Sequence, residues 1–455
     1  MNDIIFGTSR EMDFDEINSV EISIPAKRFC TVMKMNVISD VIPKLSSADI
    51  TFGSNLIGRV DIDPTSADIL KASASSATIS LSGISSTNYF STLPCSLKNG
   101  DVISASFKFN GKEASASYIV PVDTEIASGK TFEFDLSPNM RTTFNNPVWT
   151  EGSKADPTVW RDGDTFYSAA TGIGTLLKST DLVNWTSISG PLSSTEKNKV
   201  KDKYGSDYWA PDVIKLNGKW CMYLTVRRSS SDSGICLFES SSPAGPFTYV
   251  SRVTDGNETG IKDSIDAEVV EDPTTGKLWL FFGSTGKMHR VELAEDGTKV
   301  ADGAKYVHVA GLDSSQNSSR SKVFEGCYLH FRDGYWYLFA SAGLYSNSTY
   351  KVVVGRSSTL EGTFTDKQGR KMTEGYAETF LKSDNGDAFF GPGHNAEIFT
   401  DTTGQDYILY HCHNASVNGG SANRWLMLQR VYWASDGWPY VEGGKPAATD
   451  ITPVF

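Results

Sequence analysis

A turn glycine followed by an aromatic-rich strand recurs five times in the second half of this 455-residue sequence, and no other feature limits the fold as tightly. The copies are Arg161-Asp-Gly-Asp-Thr-Phe-Tyr167, Leu216-Asn-Gly-Lys-Trp-Cys-Met-Tyr223, Thr275-Gly-Lys-Leu-Trp-Leu-Phe-Phe282, Arg332-Asp-Gly-Tyr-Trp-Tyr-Leu-Phe339 and Thr403-Gly-Gln-Asp-Tyr-Ile-Leu-Tyr410. Their glycines, Gly163, Gly218, Gly276, Gly334 and Gly404, are 55, 58, 58 and 70 residues apart. Each copy follows a short apolar strand and precedes another pair of strands. A unit of about four strands cannot bury both of its faces alone, so regular repetition predicts blades stacked around an axis. The expectation is an all-β fold with a five-bladed β-propeller. One large sandwich would also carry Gly-aromatic hairpins, but has no reason to repeat near 58 residues.

The first part of the chain has a different texture. All ten Trp lie from Trp149 onward, whereas residues 1–140 are rich in Ser, Ala, Ile and Val. Val102–Phe109, Asn110-Gly111 and Lys112–Val120 form a hairpin pattern, because Asn-Gly between alternating runs suits a two-residue turn. We expect an antiparallel β-sandwich over 1–140 and the propeller over 141–455, with the boundary at Ser137-Pro-Asn-Met140.

Charge and cysteine usage exclude more than they assign. The net charge of −12 is diffuse, without the basic stripe of a nucleic-acid binder. No run of about 18 apolar residues exists to span a membrane as a helix. The six cysteines are scattered and read mainly as core residues, with one bridge, Cys30–Cys95, left open. Met1-Asn-Asp-Ile-Ile-Phe6 carries no signal pattern, so the protein is either cytoplasmic or had its signal removed before this numbering starts.

The residues that open each blade carry the chemistry. Blade one has Ala155-Asp156-Pro157, blade two Trp209-Ala-Pro-Asp212, blade three Asp266-Ala-Glu268, blade four Phe324-Glu325-Gly326 and blade five Gly393-His394-Asn395-Ala-Glu397. An ionisable residue stands six to ten positions before every turn glycine. The first strand of a propeller blade lines the central channel, so these side chains are expected to converge at one mouth. One Asp-Pro or Glu-Gly alone is an ordinary turn; five equivalent positions are not. Gathered carboxylates suit glycoside hydrolysis, in which one acid protonates the leaving oxygen and another activates water. A third can hold the proton on the first by like-charge repulsion. His411 and His413 fall on one strand face, which reads as packing first and as a metal pair second.

From about residue 145 onward the chain resembles the family 43 glycoside hydrolases, in the arabinanase branch. Trp209-Ala-Pro-Asp212 and the closing Tyr432-Trp-Ala-Ser-Asp-Gly-Trp-Pro-Tyr440 carry the resemblance most specifically, and Gly391-Pro-Gly-His394-Asn395 resembles that branch's Gly-His-Asn segment. It implies Asp156 as general base, Glu325 as general acid and Asp266 as the residue that orients the acid and tunes its pKa. It also implies inversion, with the two catalytic carboxyls roughly 6.5–9.5 Å apart. Trp209, Asp212 and Asn395 become candidate sugar contacts. His394 becomes the neighbour of a metal, calcium in the first instance, held largely by water because calcium takes about six to eight oxygens.

The implied activity is cleavage of α-L-arabinofuranosyl linkages in plant cell-wall arabinan. An exo-acting arabinofuranosidase, a β-xylosidase, a galactanase and a glycan-binding protein without hydrolysis are the alternatives. A retaining fructan hydrolase is excluded, because its Asn-Asp-Pro-Asn and Glu-Cys runs are replaced here by Ala155-Asp-Pro-Thr and Glu325-Gly. Two departures bear on substrate placement: Ala155 stands where a His usually precedes the base, and Ala267-Glu268 follows Asp266 where a small residue or Pro, then Ser, is usual. Residues 1–140 resemble the fimbrillin-like sandwiches through Ala26-Lys-Arg-Phe-Cys-Thr-Val-Met33 and Gly100–Phe109. That implies a cell-envelope or secreted protein.

Overall fold

The computed structural model describes residues 5–6, 27–28, 31–37, 45–53, 55, 57–62, 69–109, 112–137, 143–229, 231–402, 404–416 and 423–455. The chain divides into two units, Met1–Thr143 and Phe144–Phe455. Among the described residues no helix is long and apolar enough to cross a membrane.

In the first unit Val102–Phe109 pairs with Lys112–Ile119 and with Leu45–Thr51, which pairs in turn with Thr78–Ser82. A second sheet sets Thr31–Val37 between Thr87–Thr92 and Thr131–Leu136. Alternate side chains of both sheets enter one core: Ile50, Ile103 and Phe107 from one, and Met33, Met35, Phe90 and Phe134 from the other. One pairing, Thr131–Leu136 with Thr31–Val37, is parallel where an all-antiparallel unit was expected. The intervening strands supply the long crossover that parallel pairing requires. Asn110-Gly111 and the expected boundary at 138–140 lie outside the described residues. Cys95 is a free thiol, as are the buried Cys221, Cys236, Cys327 and Cys412, and Cys30 lies outside the described residues.

Among its described residues the second unit contains five blade sheets, the first four of them formed in strict chain order. Blade one is Thr158–Asp162, Thr165–Ala169, Thr175–Ser179 and Thr186–Ser189. Blade two is Asp207–Leu216, Lys219–Arg227, Ser233–Ser240 and Thr248–Asp255. Blade three is Glu268–Glu271, Leu278–Phe282, Met288–Glu292 and Val307–Ala310. Blade four is Phe324–Arg332, Tyr335–Ala342, Lys351–Ser357 and Glu378–Leu381. Blade five sets Phe389–Gly393 and Ile398–Thr400 against Asp406–Asn414, followed by Trp425–Trp433 and Pro439–Tyr440. This is the five-bladed propeller expected from the repeat.

Strand alternation explains the aromatic repeat. In Leu278–Phe282 the side chains of Trp279 and Phe281 pack against Leu329, Trp336 and Leu338 of blade four. Leu280 and Phe282 point the other way, against Cys221, Tyr223 and Leu237 of blade two. Every neighbouring pair of blades shares such a cluster, and Val159, Phe166, Tyr407 and Leu409 close the ring between blades one and five. Each fully buried large side chain contributes roughly 1.5–3 kcal/mol. Asn146 fastens the closure: its Nδ2 donates to the carbonyls of Leu428 at 2.8 Å and Ala447 at 2.9 Å, and its Oδ1 accepts from Leu428 N at 3.0 Å.

Deep in the channel a side chain of one blade reaches the first strand of the next. Asp212 Oδ2 accepts Val269 N–H at 2.8 Å, and Glu268 Oε1 accepts Leu329 N–H at 3.2 Å. The Tyr328 hydroxyl accepts Ile398 N–H at 2.9 Å, and Glu397 Oε2 accepts Val159 N–H at 2.6 Å. Burial raises the Asp212 carboxyl to about 7. Burial, then repulsion from Asp212, raises Glu397 to about 8. Burial, with Asp212 and Glu397 beside it, pushes Glu268 well above the usual glutamate range.

Because these folded values lie above the unfolded ones, the stability they contribute is complete below the ordinary carboxylate range. It is lost as the pH rises through about 7 for Asp212 and about 8 for Glu397. Calorimetry should therefore show a melting temperature that falls between about pH 5 and about pH 9. Glu268→Gln, which keeps an acceptor for Leu329 N–H, should fall less steeply. A wild type equally stable at both ends of that range would contradict this account.

Candidate active site

At the mouth of the channel each blade begins with a residue in the left-handed region: Asp156 (φ 54°), Ala210 (φ 36°), Asp266 (φ 60°), Gly326 (φ 60°) and His394 (φ 44°). Such a conformation costs a non-glycine residue about 1–3 kcal/mol unless its surroundings hold it. They do. At or just past the end of the preceding blade's second strand, a hydroxyl accepts the backbone N–H: Thr171 Oγ1 that of Ala210 at 3.0 Å, Thr225 Oγ1 that of Asp266 at 3.1 Å and Ser341 Oγ that of His394 at 2.7 Å. Asp156 N–H donates to His411 Nδ1 at 3.1 Å. In blade four the N–H of Gly326 goes instead to Asp266 Oδ2 at 3.2 Å. Glycine is required there, because a Cβ on Gly326 would lie 2.9 Å from the His394 ring.

These turns surround a cleft of about 610 Å³ lined by Asp156, Asp266, Glu325, His394 and Trp209, together with Arg227, Asp263, Ser284, Arg320, Tyr345, Thr171 and Arg424. Burial alone would raise the Asp156 carboxyl, but Arg424 and then His394 overrule it and hold it well below the usual aspartate range. Arg424 reaches its two oxygens at 2.7 and 3.4 Å, Thr171 Oγ1 donates to Oδ2 at 2.6 Å, and His394 Nδ1 lies 3.2 Å from Oδ1. Asp266 is the opposite case. Burial, with Glu325 and Asp156 nearby, pushes its carboxyl up to about 7 against the pull of His394. Glu325 accepts from Ser284 Oγ at 2.6 Å, Tyr350 OH at 2.9 Å and Arg320 at 3.3 Å. Asp266 reaches the adjacent peptide N–H, which suits a residue that orients Glu325. The Arg227 guanidinium covers one face of the Trp209 indole, 4.0 Å from the ring centroid, and Asp263 lies 3.7 Å behind it.

The expected five-way convergence is therefore corrected. Asp156, Asp266, Glu325 and His394 meet at the mouth, whereas Asp212, Glu268 and Glu397 lie within the channel walls. Asp212 and Glu268 each stand two residues after a left-handed turn, on the same strand face but roughly 6–7 Å further along. Asp212 is 5% exposed and spends an oxygen on Val269 N–H, so it is placed as a strut and not in the cleft lining. Asn395 is likewise buried outside that lining, with its Nδ2 donating to Ala396 O at 3.1 Å. His411 and His413 are occupied by Asp156 N–H and by the Tyr345 carbonyl at 2.8 Å. Among the described residues no three His, Cys, Asp or Glu side chains are gathered to hold a metal ion.

Sequence reasoning missed Thr171, Arg424, Ser284 and Tyr350. For two of them the signal was present. Thr171, Thr225, Ser284, Ser341 and His411 each stand seven or eight residues after a turn glycine, one per repeat. Arg424 and Tyr350 have no counterpart in the repeat.

Comparison with known proteins points in one direction. The model of the family described as "Glycosyl hydrolases family 43" matches residues 144–439. The extracellular endo-α-(1→5)-L-arabinanase 1 of Bacillus subtilis is 31% identical over 297 residues, covering 62% of this chain and 86% of that protein. An extracellular exo-α-(1→5)-L-arabinofuranosidase of Cellvibrio japonicus is 29% identical over 305 residues, covering 63% and 86%. Among solved structures, a Cellvibrio cellulosa α-L-arabinanase complexed with arabinohexaose aligns with a TM-score of 0.56 and 27% identity, covering 64% of this chain and 96% of that one.

The latch at Asp266 can be broken alone. Thr225→Val keeps the shape but strands a buried N–H, and should cost roughly 1–3 kcal/mol in denaturant unfolding. Thr225→Ser should cost less. Equal stability of the valine variant and the wild type would remove the latch from the account.

Proposed function

Because the chain belongs to glycosyl hydrolase family 43 and is a glycosidase, we propose that it is an α-L-arabinanase that cleaves arabinan with inversion. The observation that carries this reading is that one cleft, walled by the Trp209 indole, collects Asp156, Asp266 and Glu325 in three different electrostatic settings. Asp156, kept ionised by Arg424, takes a proton from the attacking water. Glu325 gives its proton to the departing glycosidic oxygen. Asp266 holds the Gly326 peptide beside it and so orients the acid. The indole face supports the sugar, with Arg227 fixing the ring from behind.

A calcium ion held mainly by water, with His394 as its protein neighbour, belongs to the same proposal. The site offers such an ion an imidazole and no oxygen cage, so the residues alone do not build a calcium site, and no step above runs through one. The extracellular relatives favour export of this chain too. For residues 1–140 the fimbrillin-like relationship stays a proposal, with envelope attachment as its consequence. Endo action is proposed from the Bacillus relative, and the Cellvibrio enzyme marks the exo alternative.

Assays on arabinan, linked arabino-oligosaccharides and aryl arabinofuranosides, with xylan and galactan substrates beside them, should release arabinose products of mixed length from the first minutes. Asp156→Ala and Glu325→Ala should each lower kcat by roughly 10²–10⁴-fold. With a phenol that leaves without protonation, the Glu325 variant should recover much of its rate and the Asp156 variant should not. NMR of the first-formed sugar should show the β anomer. Absence of arabinose release from every arabinose substrate would overturn the assignment, and glycan binding without hydrolysis by the wild type would replace it with a binding role.

A further inference from the structure

A second recess, of about 390 Å³, adjoins the cleft and is not used by the chemistry above. Its floor holds Lys154, which is only 7% exposed. The Lys154 ammonium donates to the Thr175 carbonyl at 3.0 Å, and among the described residues no carboxylate pairs with it. Lysines are almost never buried without a partner, since an uncompensated buried charge is costly. Burial accordingly lowers the Lys154 pKa to about 8. Trp149 lines the same recess, and among the described residues its buried indole Nε1 has no hydrogen-bond partner. A Cβ on Gly152, Gly172 or Gly174 at the edge would meet open space. Ser153 and Thr171 belong to both the recess and the cleft, and Thr171 hydrogen-bonds Asp156. An occupant of the recess is therefore a near neighbour of the sugar being cleaved. Glu151, exposed, also lines the recess.

We propose that this recess is a substrate subsite in which Lys154 binds the carboxylate of an acidic sugar unit joined to the arabinose chain in the cleft. The inference rests on the arabinanase reading for the identity of that chain. A monoanion suits the site because one lysine lines it and a more highly charged group would meet Glu151. The carboxylate lies toward one end of the chain, and the two ends are distinguished by the test.

Calorimetry on the full chain in a Glu325→Gln background measures Kd for three α-1,5-arabino-oligosaccharides. One is neutral, one is oxidised to an aldonate at the reducing end, and one is oxidised to a uronate at the non-reducing end. One acidic form should bind about tenfold more tightly than the neutral one at low salt. That preference should shrink as salt is added. Lys154→Met should abolish it and Lys154→Arg retain part of it. Gly174→Leu, at a position outside the left-handed region, should abolish it by filling the recess with the lysine intact. No preference for either acidic form, or a preference that survives both Lys154→Met and Gly174→Leu, overturns the subsite. Wild-type turnover of the neutral oligosaccharide is scored separately: turnover without an acidic preference removes the subsite and leaves the arabinanase reading. An acidic preference without turnover does the reverse.

Discussion

The hydrogen bond from a left-handed residue at the head of one blade to a hydroxyl or imidazole on the blade before it organises the mouth of the propeller. Backbone in that region is disfavoured for aspartate, alanine and histidine alike, so it persists only where a partner holds it. Thr171, Thr225, Ser341 and His411 are those partners. The same bond that tolerates the conformation also joins neighbouring blades. The side chains that the turn aims inward, Asp156, Asp266 and His394, are thus placed relative to each other by the ring as a whole. Blade four departs from the pattern in an informative way: Gly326 replaces the side chain, and Asp266 takes over as its N–H acceptor. The residue expected to orient Glu325 is thereby bonded to the peptide next to it.

Charge in the channel is sorted by depth. At the mouth, Arg424 and His394 offset Asp156, while Asp266 is left with less compensation, so two aspartates in one cleft are driven in opposite directions. Deeper, Asp212, Glu268 and Glu397 meet no cation among the described residues and serve instead as backbone acceptors across the blade boundaries. A low-dielectric interior favours the neutral form of such groups, which lets a hydrogen-bonding strut occupy the axis without a full negative charge. Lys154 is the converse case: an amine buried beside the cleft that donates to the Thr175 carbonyl and, among the described residues, meets no carboxylate.

Much of this was legible beforehand because a propeller repeats its physics. The turn glycines located the blades, the aromatic runs located the wedges between them, and Asp156, Asp266 and Glu325 stood at blade starts. What the alignment of blade starts blurred was depth. In Asp266-Ala-Glu268 both acids face the channel, and period-two alternation assigns the face without saying which level opens to solvent. Asp212 and Asn395, expected as sugar contacts, lie buried outside the cleft lining for that reason. Arg424 was invisible because its meaning depends on a blade-one aspartate 268 positions away.

The sequence by itself therefore determined the number of blades and the family, and placed Asp156, Asp266 and Glu325 at blade starts, since all of these follow from local patterns that recur along the chain. Only the tertiary structure decided which acids share the cleft, which are struts, and which cation each acid meets. Those distinctions come from side chains of different blades converging on one axis, where burial and the nearest opposite charge set protonation, and no local spacing records either.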